Sequence, residues 1–112
     1  MNSPINTPPL SASSLRRQRD FSDLDANALE LFARVVAAGS FAQAARQLGL
    51  TRAAVSRRIA AMEALAGQPL LARTTRSLGL TEAGRQLARR AQAVREAAEA
   101  ARAALVAVDG VV

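Results

Sequence analysis

Residues 39–67 read GSFAQAARQLGLTRAAVSRRIAAMEALAG, and this stretch decides the fold. Ser40 is an N-cap residue type, and Gln43 follows at the spacing of a capping box, in which the hydroxyl and the amide each satisfy a free backbone N–H. Phe41, Ala44, Ala45 and Leu48 recur at helical spacing and predict a short helix with one apolar face. Gly49 stops that helix, Leu50 plugs the turn, and Thr51 caps a third helix running to about Ala66. Two helices joined by a tight glycine turn, the second rich in Arg, describe a helix-turn-helix. Ala45 suits the close crossing, where a larger side chain would force the helices apart. On a helical wheel Val55, Ile59, Met62 and Ala66 share one side and belong to the core. Ala53, Arg57 and Ala64 lie opposite, flanked by Ser56 and Ala60, with Arg52 and Arg58 at the edges. That face is small enough to enter a major groove about 12 Å wide. An ordinary helical hairpin with a charged surface has the same periodicity, so the flanking segments must separate the two.

Upstream, a first helix is expected from about Asp25 to Ala38, with Leu29, Phe32, Ala33 and Val36 as its apolar stripe and Gly39 as its stop. Downstream, Gly67 and Pro69 forbid helix continuation. Leu70–Arg73 and residues 78–80 (Leu-Gly-Leu) then flank Thr74, Thr75, Arg76 and Ser77, as in a two-stranded hairpin with Arg76 at its tip. A hairpin alone is weak evidence, but after a helix-turn-helix it reads as a wing. Thr81 caps a last helix, with Glu82 in the first turn where the dipole favours it. Leu87, Ala91, Val94, Ala98, Ala101, Leu105 and Val108 form an unbroken heptad stripe along it, and the helix should be roughly 40 Å long at 1.5 Å per residue. That length exceeds what the rest of the domain can cover, so a two-helix coiled-coil dimer is expected; the alternative is a helix folded back on its own domain. The fold class is therefore mainly α: a winged helix-turn-helix over residues 24–80, a linker and dimerisation helix over 81–108, a disordered basic arm over 1–23 and a short tail over 109–112.

Composition narrows the function. The chain has 112 residues, a net charge of +6, no His and no Cys. All of its basic residues are Arg, whose planar fork gives two parallel hydrogen bonds to phosphates and guanine edges. Between Ser40 and Leu80 six arginines face one acid, Glu63. This is the footprint of a nucleic-acid binder, although a solvated basic face would look alike. Without His or Cys, disulfides, thiolate or imidazole metal sites and the commonest general base are excluded, so neither enzyme nor cofactor is expected. No apolar run reaches the ~18 residues of a membrane span, so no membrane partner is expected. Arg16-Arg17 superficially matches a twin-arginine signal, and the acid-free start a transit peptide. Pro4, Pro8 and Pro9 oppose an amphipathic helix, and no apolar region follows the Arg pair, so an arm adding phosphate contacts is the better reading.

These residues carry a family resemblance. From Leu24 to about Leu105 the chain resembles the N-terminal domain of LysR-type transcriptional regulators. Residues 39–48 are similar to that family's GSF-x-x-AA-x-x-L signature, Val55-Ser56-Arg57-Arg58-Ile59 to its recognition-helix core, and residues 67–73 and 80–84 to its wing and linker-helix entry. The resemblance implies that Arg52, Ala53, Ser56 and Arg57 meet bases and phosphates in the major groove. With them, Ser40, Gln43, Thr51 and Arg58 complete the helix-turn-helix part of the expected DNA-binding site. Arg73 and Arg76 take the wing positions, Arg76 as the minor-groove reader. The linker helix would pair antiparallel with that of a second subunit, and the operator would be double-stranded DNA with an interrupted palindrome. Arg52-Ala53 stands where the family usually has Gln-Pro, which turns the preference there toward guanine. Ala66 replaces the Leu usual before Gly67. The expected function is cytoplasmic, bacterial transcription regulation by a homodimer without a ligand-sensing domain. The alternative is an antagonist that captures full-length relatives as heterodimers.

Overall fold

In the computed structural model, which describes residues 20–73 and 78–109, helices α1 (Ala26–Ala38), α2 (Phe41–Leu48) and α3 (Arg52–Ala66) precede strands β1 (Leu71–Arg73) and β2 (Leu78–Leu80) and a long helix α4 (Glu82–Asp109). The order is that of a winged helix-turn-helix with a linker helix. The start of each helix is fixed locally. Asp25 Oδ1 accepts from the Ala28 amide at 2.9 Å, Ser40 Oγ from Gln43 at 3.0 Å, Thr51 Oγ1 from Ala54 at 3.0 Å and Thr81 Oγ1 from Gly84 at 3.0 Å. Each bond satisfies one of the amides that a helix start leaves unpaired. The expected capping box forms only by half. The Gln43 side chain accepts from the Arg46 guanidinium one turn on rather than reaching back to Ser40, because a charged donor makes the stronger hydrogen bond.

Gly49 ends α2 at φ 67° with nothing within 4 Å of where a Cβ would sit. Its role is therefore conformational, since the left-handed turn that swings α3 across α2 strains any residue with a side chain. The Leu50 amide closes the turn on the Ala45 carbonyl at 2.9 Å.

The core lies where α1, α2 and α3 cross. Phe32, Val35, Val55 and Ile59 are fully buried, with Leu31, Phe41, Ala44, Ala45, Met62, Leu70 and Leu71 around them. The stripe on α1 is wider than expected: Leu31 and Val35 are buried, whereas Leu29 and Val36 are half-buried. The reason is that α1 has helices on more than one side, so several of its faces are covered. Strands β1 and β2 pair antiparallel with Leu71 opposite Leu80 and Arg73 opposite Leu78.

Helix α4 lies antiparallel along α1. Arg102 pairs with Glu30 at 3.2 Å and Arg34 with Glu99 at 3.5 Å, so positions rise on one helix as they fall on the other. This contact corrects one expectation. Ala91, assigned to a dimer seam, is fully buried within its own chain as part of the core cluster. Small side chains on both helices allow the close approach. Leu87, Val94 and Ala98 are half-buried, while Ala101, Leu105 and Val108 are exposed. The stripe is thus divided between the chain's own domain and solvent. Residues 20–23, expected within the arm, form a turn in which the Leu24 amide bonds the Phe21 carbonyl at 2.8 Å and Asp20 accepts from Ser22 at 2.8 Å. The Ser22 hydrogen bonds hold the Asp20 carboxyl below its usual range.

Candidate nucleic-acid interface

Helix α3 carries its buried face at Val55, Ile59 and Met62. With those side chains anchored, the rest of the helix surface turns to solvent: Ala53, Arg57, Ala60 and Ala64 opposite the core and Arg52 and Arg58 at its edges are exposed, and Ser56 is half-buried. Among the described residues none of Arg52, Arg57 and Arg58 has an ion-pair or hydrogen-bond partner for its side chain. Elsewhere the arginines are largely occupied. Arg34 and Arg95 both reach Glu99, Arg85 reaches Glu82 at 2.6 Å, and Arg102 reaches Glu30. The guanidinium of Arg85, with help from the Gln86 amide, holds the Glu82 carboxyl below the ordinary carboxylate range.

The remaining expected residues divide by position. Ser40 and Thr51 spend their hydroxyl oxygens on the starts of α2 and α3, and each keeps an O–H donor for an incoming acceptor. Gln43 is half-buried and bound to Arg46. Arg73 stands on β1 with its guanidinium carbon 5.0 Å from the centre of the Phe41 ring and its Nη2 atom 3.5 Å from Glu63. Arg76, expected at the wing tip, the expected basic arm through Arg19, and residues 110–112 lie outside the described residues.

Two residues that the sequence did not mark as functional set this geometry. Glu63 Oε2 accepts from the Leu70 and Leu71 amides at 2.8 and 3.1 Å, tying the last turns of α3 to the start of the wing. Gly84 lies buried where α4 crosses residue 70, and a Cβ added to it would fall 1.9 Å from the Leu70 carbonyl oxygen. The wing and linker helix are further joined by Thr81, whose hydroxyl donates to the Pro69 carbonyl at 2.8 Å and whose amide donates to Leu70 at 3.1 Å. For Glu63 the available signal was its solitude: a lone acid in an arginine field needs a structural reason to be there. For Gly84 only its place in the first turn of an otherwise helix-favouring segment hinted at a tight contact.

The arrangement is suited to binding. It presents unpaired donors on an exposed helical ridge, and among the described residues no group of three or more metal-ligating side chains is placed to hold a metal ion. No helix among them is long and apolar enough to cross a membrane.

Comparison with known proteins gives the ridge a context. The profile described as "Bacterial regulatory helix-turn-helix protein, lysR family" matches residues 26–85. The HTH-type transcriptional regulator CrgA of Neisseria meningitidis is 46% identical over 80 residues, which are 71% of this chain and 27% of CrgA. The chain therefore spans about a quarter of the length of that relative. Among solved structures, a CbnR_DBD-DNA complex matches with TM-score 0.62 and 30% identity, covering 76% of this chain and 98% of that one. A BenM_DBD complex with benA site 1 DNA matches with TM-score 0.64 and 25% identity, covering 76% and 96%.

Proposed function

Because the chain belongs to the LysR family of bacterial helix-turn-helix regulators, we propose that it binds double-stranded DNA sequence-specifically, as a dimer, to regulate transcription in the bacterial cytoplasm. The observation that carries this reading is the exposed trio Arg52, Arg57 and Arg58, unpaired among the described residues, on one helix whose apolar face is locked into the core. An unpaired guanidinium keeps five N–H donors free for phosphate oxygens and guanine edges. The alanines of the same outward surface, exposed at 53, 60 and 64, keep the ridge low enough to enter the major groove. Ser56, Arg57 and Arg52 are assigned to base edges and Arg58, Ser40, Gln43 and Thr51 to the flanking backbone. The wing residues Arg73 and Arg76 serve the adjacent groove.

Dimerisation is assigned to the far half of α4. Leu105, Val106 and Val108 are 69%, 67% and 74% exposed, and apolar side chains clustered on one helix end favour a partner. Pairing two such helices antiparallel would present two α3 ridges to one face of a duplex, about one helical turn apart, which matches an interrupted palindrome. The same exposed end would also accept the helix of a related regulator, giving an antagonist that removes relatives from DNA by forming heterodimers.

Selection of bound duplexes from a random pool, followed by anisotropy titration of wild type and Arg57→Ala, tests the proposal. Arg57→Ala is expected to weaken the selected site by about 1–3 kcal/mol and to relax base preference at one position of each half-site. Unchanged affinity and preference would place the reading face elsewhere. A wild-type chain that exchanges into a relative's dimer yet binds no duplex alone would leave the antagonist as the function.

A further inference from the structure

Glu63 is the single acid between Ser40 and Leu80, in a stretch that holds six arginines. A carboxylate beside a DNA-facing surface repels every phosphate equally, so it lowers affinity for all duplexes. Its placement is nonetheless tightly determined. The side chain is only 19% exposed, its Oε2 accepts from the Leu70 and Leu71 amides, and its Oε1 holds Arg73 at 3.5 Å. Arg73 also lies over Phe41, itself buried at the start of α2. The guanidinium is therefore fixed from two directions, by a carboxylate anchored to the backbone and by an aromatic face anchored in the core. Its side chain stays 45% exposed, which leaves donors open to solvent.

Resting on the DNA-binding reading above, we propose that Glu63 is a specificity-determining residue of this interface. It is a positioning residue that acts through Arg73, restricting where the wing's first arginine meets the DNA backbone and withholding that charge from backbones that do not pass there. A freely swinging arginine finds a phosphate on any duplex and adds the same affinity to all of them. An arginine held in place contacts phosphate only where groove geometry brings one to it, and that geometry depends on sequence. Glu63 thus trades general affinity for discrimination.

The test compares a duplex selected from a random pool with a random-sequence duplex, titrated at several salt concentrations. Glu63→Gln keeps an oxygen for the Leu70 and Leu71 amides and removes the charge that holds Arg73. On the random duplex its plot of log K against log salt is expected to steepen by about 0.9, one added phosphate contact. The ratio of selected to random affinity is expected to fall about fivefold or more, the low end of what one misread base pair costs. In an Arg73→Gln background, Glu63→Gln should change neither quantity. Arg73→Gln alone should weaken the selected duplex more than the random one, which keeps the proposal testable if Glu63→Gln does not fold. An unchanged slope and ratio in folded Glu63→Gln overturns the inference. So does an equal loss on both duplexes that persists without Arg73, since that is the signature of a brace alone. Failure of wild type to bind either duplex overturns the DNA-binding reading itself, which separates the two failures.

Discussion

Replacing Gly84 with Ala sets helix propensity against packing, and the two predict opposite signs. Gly84 lies in the first turn of α4, where Ala is favoured over Gly by about 1 kcal/mol on propensity alone. The tertiary environment opposes the change. The added Cβ would sit 1.9 Å from the Leu70 carbonyl oxygen, 2.9 Å from the Leu70 carbonyl carbon and 3.2 Å from a Leu80 methyl. An ordinary carbon–oxygen contact is about 3.3 Å or longer, so α4 and residue 70 must separate by roughly 1.4 Å. Neither moves freely, because the Leu70 amide is held by Glu63 at 2.8 Å and its carbonyl by the Thr81 amide at 3.1 Å. Overpacking of this kind costs about 1–3 kcal/mol or more, and an obstacle of backbone rather than flexible side chain belongs at the upper end. With the propensity gain subtracted, a net loss of about 2 kcal/mol is expected, lowering Tm by roughly 8–16 °C for a domain of this size. Thermal unfolding followed by circular dichroism at 222 nm, at matched protein concentration, measures it. A Gly84→Ala chain that melts at or above the wild-type temperature would refute the packing argument and leave propensity in charge.

Other outcomes follow from the same contacts. Gly49→Ala adds a Cβ into open space at φ 67°, so its cost should be purely conformational, about 1–2 kcal/mol in urea unfolding, and Gly49→Asn should recover part of it. If the proposed dimer forms through α4, Leu105→Asp should shift the chain toward monomer in sedimentation velocity while leaving its Tm at low concentration nearly unchanged, because this side chain is 69% exposed; an oligomeric state unaltered by the substitution would refute the proposed α4 pairing. Since Arg85 holds the Glu82 carboxyl below its ordinary range in the folded state, that carboxylate contributes stability above its unfolded pKa and loses it as pH falls through the lower folded value. Glu82→Gln should therefore melt below wild type at neutral pH, with the difference closing on acidification. A gap that widens in acid would show the sign to be wrong.

Much of this protein is written in interactions spanning four residues or fewer. Asp25, Ser40, Thr51 and Thr81 each cap a helix through an amide three residues on, and such bonds form wherever the local backbone allows. Gly49 and Gly67 end helices for equally local reasons, and the burial of Val55, Ile59 and Met62 turns Arg57 outward by helical geometry alone. The order of helices and wing and the arginine ridge were legible for that reason. Even there a local rule failed at Gln43, because Arg46 competed for its side chain.

What only the tertiary structure decided are the contacts whose partners lie far apart in sequence or on different elements. Glu63 reaches the Leu70 and Leu71 amides, Arg73 settles on Phe41, and Gly84 meets the Leu70 carbonyl, none of which follows from residue type and spacing. The heptad stripe of α4 makes the point most clearly. Its periodicity states that one side of the helix is apolar, but not whose surface covers it. The antiparallel contact with α1 takes Ala91 into the chain's own core and leaves Leu105 and Val108 in solvent. An apolar side chain gains the same free energy against any dry surface, so the pattern states which side of the helix gains from burial, and only the three-dimensional arrangement decides which of its residues are covered.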